Sequence, residues 1–168
     1  MGSSLTSLGS STMSKALRNA WGQYPTGVTI VTARDPGGNP IGLTASSFVS
    51  VSIEPPLISW NLGRSSSQFQ RFAGLEAFAV HVLHAGQADL AMTFASSSAD
   101  KFGGLQLASG MGGVPLLDDW QALFQCRTHA THEAGDHLII IGEVLDFATR
   151  EGRQALVYYR GCFGGPST

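Results

Sequence analysis

Apolar residues along this chain fall mostly into short runs with a two-residue period, broken by Gly, Pro and Asn. "GVTIVTA" (27–33) is β-branched and leads into the turn sequence "DPGGNP", so it predicts a strand. "PIGLTAS" follows, and then "FVSVSI", in which Val49, Val51 and Ile53 alternate with Ser50 and Ser52. After "EPP" the pattern predicts strands at "LISWNL" (57–62) and "AFAVHVL" (77–83). Residues 121–150 read as a long hairpin turning at Gly135-Asp136, and "ALVYYRGCF" (155–163) as a last strand.

Helical spacing is confined to short segments. Ala16, Leu17, Ala20 and Trp21 share one stripe, with Ser14 as candidate cap and Gly22 and Pro25 as the stop. "SSQFQRFA" (66–73) predicts a short helix capped by Ser66. "GQADLAMTFAS" (86–96) predicts another, with Leu90, Ala91 and Phe94 on its apolar face. Many strands with few helices between them predict a mainly β fold, a closed antiparallel barrel with short peripheral helices. Residues 1–12 are Ser/Gly-rich and predict a disordered tail without signal-peptide character, followed by a single domain over 13–168.

Composition narrows the classes. The net charge is −2 with no Lys/Arg cluster, which argues against a nucleic-acid surface. No apolar run has the length of a membrane span. Charged residues make up only 13% of the chain, so apolar surface should be covered by a second copy, in the simplest case a homodimer. Two cysteines, Cys126 and Cys162, are too few for a disulfide framework and suit free thiols in a reducing cytoplasm.

Two clusters of small hydroxyls stand out: Thr44, Ser46 and Ser47, and then Ser65, Ser66 and Ser67. The second enters a helix and could seat an anion, with Arg64 or Arg71 adding charge; ordinary capping needs only one of the three serines. The first could let a planar ligand lie against the backbone, or it could be a solvated edge or bulge. "SGMGGVP" (109–115) has Pro115 where a dinucleotide fingerprint needs its third glycine, so it reads as a loop. His129, His132 and His137 make a poor metal set, because an i, i+3 pair on a strand points to opposite faces, and no metal is expected. His81 reads as packing or capping a strand edge. His137 follows a turn and opens a strand, which places it at a barrel rim. No G-x-S-x-G elbow or base beside Cys126 supports a hydrolase.

In order along the chain, "YPTGVTIVTA", "GLTASSFVSVSIEPPLISWNL", "SSS", "FAVHVL", "ADLAMTFA", "DKFGG", "GDHLIIIGEV" and "LVYYRG" resemble the short-chain flavin reductases. These are FMN-binding Greek-key split-barrel proteins that supply reduced flavin to two-component monooxygenases. The resemblance covers about Ala16 to Cys162. It implies that Thr44, Ala45, Ser46 and Ser47 face the flavin ring, and that Asn61 and Ser65 to Ser67 line the ribityl-phosphate path. It further implies that in the element holding Ala95, Lys101 and Phe102 the lysine offsets phosphate charge and the aromatic closes over the flavin, that His137 stands near the nicotinamide, and that Tyr159 approaches the flavin near a dimer seam.

The implied activity is hydride transfer from NADH or NADPH to FMN or FAD, with a transient monooxygenase partner. The absence of a strong basic pocket mildly favours NADH. Two alternatives stay open: a flavin- or haem-binding barrel without turnover, and a flavoprotein reducing a corrinoid or metal chelate.

Overall fold

The computed structural model describes residues 10–98 and 100–165. Helix α1 (Ser10–Trp21) opens this part of the chain. Order therefore begins before Met13, and Ser14 lies inside the helix instead of at its cap. Positions 1–9 of the expected tail lie outside the described residues.

The strands are β1 (Thr26–Gly27), β2 (Thr29–Arg34), β3 (Pro40–Ala45), β4 (Val49–Ile53) and β5 (Pro56–Gly63). Helix α2 (Phe69–Phe72), β6 (Ala77–Val82) and α3 (Ala88–Ala95) follow. Next come β7 (Leu107–Ser109), β8 (Pro115–Leu117) and the long pair β9 (Ala122–Ala134) and β10 (His137–Thr149). The chain returns through β11 (Val157–Tyr159) and β12 (Cys162–Gly164). The expected single strand over 155–163 is thus a hairpin. Arg160 (φ 50°) and Gly161 (φ 82°) form its turn, a reversal that the β-branched pattern alone does not announce. The segment expected to be irregular holds the small β7–β8 hairpin, with Gly112 and Gly113 at positive φ in its turn.

Seven strands form one antiparallel sheet in the order β3-β2-β6-β9-β10-β5-β4, while β1, β11 and β12 form a second. Strands β3 and β4 are the two edges of the large sheet, yet residues 46–48 alone connect them. Three residues span little more than about 10 Å, so the sheet curls until its edges approach. No ladder joins β3 to β4 among the described residues, which leaves the barrel split at that seam.

Alternation along β5 sets the two faces. Ile58, Trp60 and Leu62 point into the core beside Ile140 and Leu138, while Leu57, Asn61 and Gly63 lie on the opposite face together with Ser59, which is itself buried. Trp60 packs edge-on against Phe72 and Phe78, each with ring centroids 5.8 Å away. Gly142 sits under that cluster, where a Cβ would meet Phe78 at 2.5 Å and Cys126 at 3.1 Å. A second core lies between β2 and α3, built on Ile30, Leu83, Phe94 and Leu156. Strand β2 is therefore buried on both faces.

His81 lies in strand β6 inside the sheet and is fully buried, so it packs and does not cap an edge. Its Nδ1 is 3.2 Å from the Ile30 carbonyl, and its Nε2 accepts the Leu117 N–H at 3.1 Å, tying β8 to the barrel. Accepting at Nε2 requires the neutral ring with its proton on Nδ1. Burial lowers the His81 pKa to about 4. The unfolded chain binds this proton from about pH 6.5 downward and the fold only near 4, so stability falls as pH drops through that window. We expect urea unfolding to show a loss of about 3 kcal/mol from His81 between pH 7 and pH 4, and a shallower slope in His81→Gln.

Candidate functional site

At the seam between β3 and β4 lies a cavity of about 410 Å³. Its floor is the segment Thr44, Ala45, Ser46 and Ser47, reached from one side by Asn61 and His137. Small side chains are what the seam tolerates, because residues 46–48 must cross between two edge strands while remaining accessible. Ser47 Oγ accepts the Asn61 N–H at 2.9 Å, stitching the crossing to β5. Thr44 turns its hydroxyl to the Ala91 carbonyl at 2.6 Å, so it anchors α3 under the floor.

The opposite end is built from Ser66 and Ser67 before α2, from Ala95 at the end of α3 and from Lys101 after it. Ser66 Oγ accepts the Gln68 N–H at 3.2 Å in the turn that enters α2. Lys101 is 7% exposed, and its ammonium donates to the Phe94 carbonyl at 2.8 Å and the Gly42 carbonyl at 3.3 Å. A cation at the C-terminus of α3 is favourably placed against the helix dipole. No carboxylate pairs with it among the described residues. Burial, with Arg71 repulsion adding to it, lowers the Lys101 pKa below the ordinary lysine value. Such a buried, uncompensated ammonium lining a cavity suits an anionic ligand group.

His137 opens β10 directly opposite Gly63 of β5, at the rim of the cavity. Its Nδ1 lies 2.7 Å from Asp136 Oδ1, and that bond to His137 lowers the Asp136 carboxyl pKa. The outward face that carries Asn61 and His137 mixes apolar and polar side chains. Val49, Ser59 and Ile141 stand in one row across it, and Asn61 and Ile139 in the next.

Three expected residues do not line this cavity. Phe102 stacks edge-on against Phe94 at 5.0 Å behind the floor, Ser65 is exposed in the turn before α2, and Tyr159 lies on β11. Gln68, Ser96 and Ser97 line it without having been anticipated. The polar run after α3 was the available signal for the two serines. Burial pushes the Cys126 thiol up to about 12, which leaves it inert. A second, larger groove of about 1560 Å³ shares Ser46, Ser47 and Asn61 with the first and continues past Trp21, Tyr24, Tyr158 and Arg160.

The family model described as "Flavin reductase like domain" matches residues 21–167. The chain is 45% identical over 151 residues to "FMN reductase (NADH) SmoA" of Agrobacterium fabrum, covering 90% of this chain and 85% of that one. It is 38% identical over 153 residues to "Stachydrine N-demethylase reductase subunit Stc3" of Rhizobium meliloti; the match takes in 91% of this chain but spans only 66% of that relative's length. The Streptomyces globisporus C-1027 NADH:FAD oxidoreductase SgcE6, solved with NAD and FAD fragments, superposes with a TM-score of 0.84 at 37% identity, covering 94% of this chain and 95% of that one.

Thr44→Val keeps the side-chain shape and leaves the Ala91 carbonyl without its donor. We expect a loss of about 1 kcal/mol in urea unfolding, with faster amide exchange concentrated in α3.

Proposed function

Because this chain belongs to the flavin reductase-like family, we propose that it is an NADH-dependent flavin reductase that passes reduced FMN or FAD to a partner monooxygenase. The observation that carries this reading is the buried Lys101 ammonium, with no carboxylate partner, at one end of a cavity floored by small residues. Lys101 and the Ser66–Ser67 turn would receive the flavin phosphate. The Thr44–Ser47 floor and Asn61 would lie against the ring. A flavin held there would supply the electronic chemistry, with N5 as hydride acceptor and nicotinamide C4 as donor.

The protein's own contribution is placement. Floor residues with small side chains let two flat rings stack at about 3–3.5 Å. The Ser46 and Ser47 hydroxyls, which line the cavity, would meet charge that develops on the flavin pyrimidine edge. His137, oriented by Asp136, presents its ring at the mouth of the cavity to position the nicotinamide half; no general acid or base is required. The names of SmoA and SgcE6 support NADH as donor, and that of the "Flavin-dependent trigonelline monooxygenase, reductase component" of Acinetobacter baylyi, 40% identical over 153 residues, supports delivery to a monooxygenase partner.

Val49, Leu57, Ile139 and Ile141 on the outward sheet face suit burial against a second copy, making the protein a homodimer. The amphipathic face of α1 also stays uncovered by its own chain, with Leu17 43% and Trp21 66% exposed. No described helix is long and apolar enough to cross a membrane. A supply of NADH and two free thiols are consistent with work in the cytoplasm.

Purified protein should oxidise NADH faster on addition of FMN, FAD or riboflavin, and absence of flavin-dependent turnover with either NADH or NADPH overturns the reading. Turnover without added flavin, by protein that purifies yellow, assigns it as a fixed prosthetic group. Lys101→Met should weaken FMN binding about ten-fold while leaving riboflavin affinity nearly unchanged. His137→Ala should raise KM for NADH more than Kd for flavin. Light scattering should give about twice the 17.7 kDa chain mass, and Ile141→Asp should shift it toward the monomer.

A further inference from the structure

We infer that Arg71, clamped by Asp35, is a positioning residue that makes the cavity discriminate phosphorylated flavin from riboflavin, by turning the Gln68 amide donor toward the Lys101 end. This rests on the reductase reading and adds to it a residue behind the cavity wall that tunes which flavin is held.

The donors at that end are largely committed. The Lys101 ammonium carries three N–H bonds, and the Phe94 and Gly42 carbonyls already take two of them. Ser96 is spent as well: its hydroxyl donates to the Thr93 carbonyl at 2.7 Å and accepts the Ser98 N–H at 3.2 Å. One ammonium proton and the neutral hydroxyls of neighbouring serines remain for the terminal oxygens of a phosphate. A further donor of fixed direction therefore counts for much.

Gln68 follows Ser67, is half-buried and lines the same cavity. Its amide is not free to turn. Arg71 Nη1 donates to Gln68 Oε1 at 3.3 Å. A guanidinium has donors only, so the atom it meets is the amide oxygen, and the NH2 group points away from it. Among the described residues no acceptor takes that NH2 group.

Arg71 is itself immobilised. Its Nε and Nη2 donate to Asp35 Oδ2 at 3.1 and 2.7 Å. Asp35 Oδ1 in turn accepts the Gly37 and Asn39 N–H groups at 3.0 and 2.9 Å, which ties the carboxylate to the β2–β3 turn. The bonds from Arg71, with that from the Asn39 backbone, hold the Asp35 carboxyl below its usual value, so the pair stays ionised. The turn thus fixes the guanidinium, and the guanidinium fixes the amide. With its charge offset by Asp35, Arg71 acts through Gln68 and not as a second cation for the phosphate. Riboflavin, which ends in a hydroxyl, gains no charge-assisted bond from that amide.

Fluorescence quenching gives Kd for FMN and for riboflavin with wild type, Gln68→Met, Arg71→Met, Arg71→Lys and the Gln68→Met/Arg71→Met double variant. Gln68→Met and Arg71→Met should each weaken FMN about ten-fold and leave riboflavin nearly unchanged. The double variant should bind FMN no more weakly than Gln68→Met alone, because Arg71 works through the amide. Arg71→Lys keeps the charge but loses the planar fork, and should match Arg71→Met. Equal losses for both flavins, additive penalties in the double variant, or full FMN affinity in Arg71→Lys overturns the inference. Gln68→Met leaves the ion pair untouched, so unchanged FMN affinity in that variant overturns it even if the Arg71 variants unfold. Wild type that binds FMN but never oxidises NADH would sink the reductase reading alone, and the FMN-to-riboflavin ratios would still decide the role of Arg71.

Discussion

Strands β3 and β4 are the two edges of the seven-stranded sheet, and three residues join them. That short tether forces the sheet to curl, and the absence of a ladder between the edges leaves a seam lined by residues 44–48. An open edge ordinarily invites association with another chain. Here the β3 edge is covered from within: Thr44 bonds to α3, and Lys101 reaches the Gly42 carbonyl. The seam is thus both the weakest line of the barrel and the place where a ligand can reach main chain.

Burial around the seam explains its chemistry. Phe94 packs so close to Gly42 that any side chain there would strike its ring. This tight contact fixes α3, the C-terminus of α3 fixes the Lys101 ammonium, and Lys101 supplies positive charge without a carboxylate to cancel it. A solvated lysine would offer the same charge far more weakly, since water screens it. On the outward face, period-two alternation in β5 and β10 supplies Asn61 and His137 from the same strands whose alternate residues, Trp60 and Leu138, hold the core. Site and core are therefore two faces of one register, and a slip of a single residue would exchange them.

The strand runs, the long hairpin and the two hydroxyl clusters were readable from the chain, because period and turn chemistry are local properties. The resemblance in "GLTASSF" and "GDH" added the chemistry that spacing left open. Missed or altered features share a cause in long-range contact. His81 looks like any strand histidine until β2 and β8 close on both its nitrogens. The strand over 155–163 breaks because Arg160 and Gly161 adopt positive φ. Tyr159 falls outside the cavity, while Tyr158 lines the groove.

Sequence by itself determined the fold class, the faces of the strands and which small residues were free to meet a ligand, since all three follow from side-chain period and size. Tertiary structure decided which hydroxyls are already committed. Thr44 is given to α3 and Ser47 to Asn61, while Lys101 is buried beside the cavity. It also brought Arg18 and Arg160, far apart in the chain, to one groove. Those outcomes depend on which distant backbone groups and charges arrive alongside each residue, and only the closed sheet brings them together.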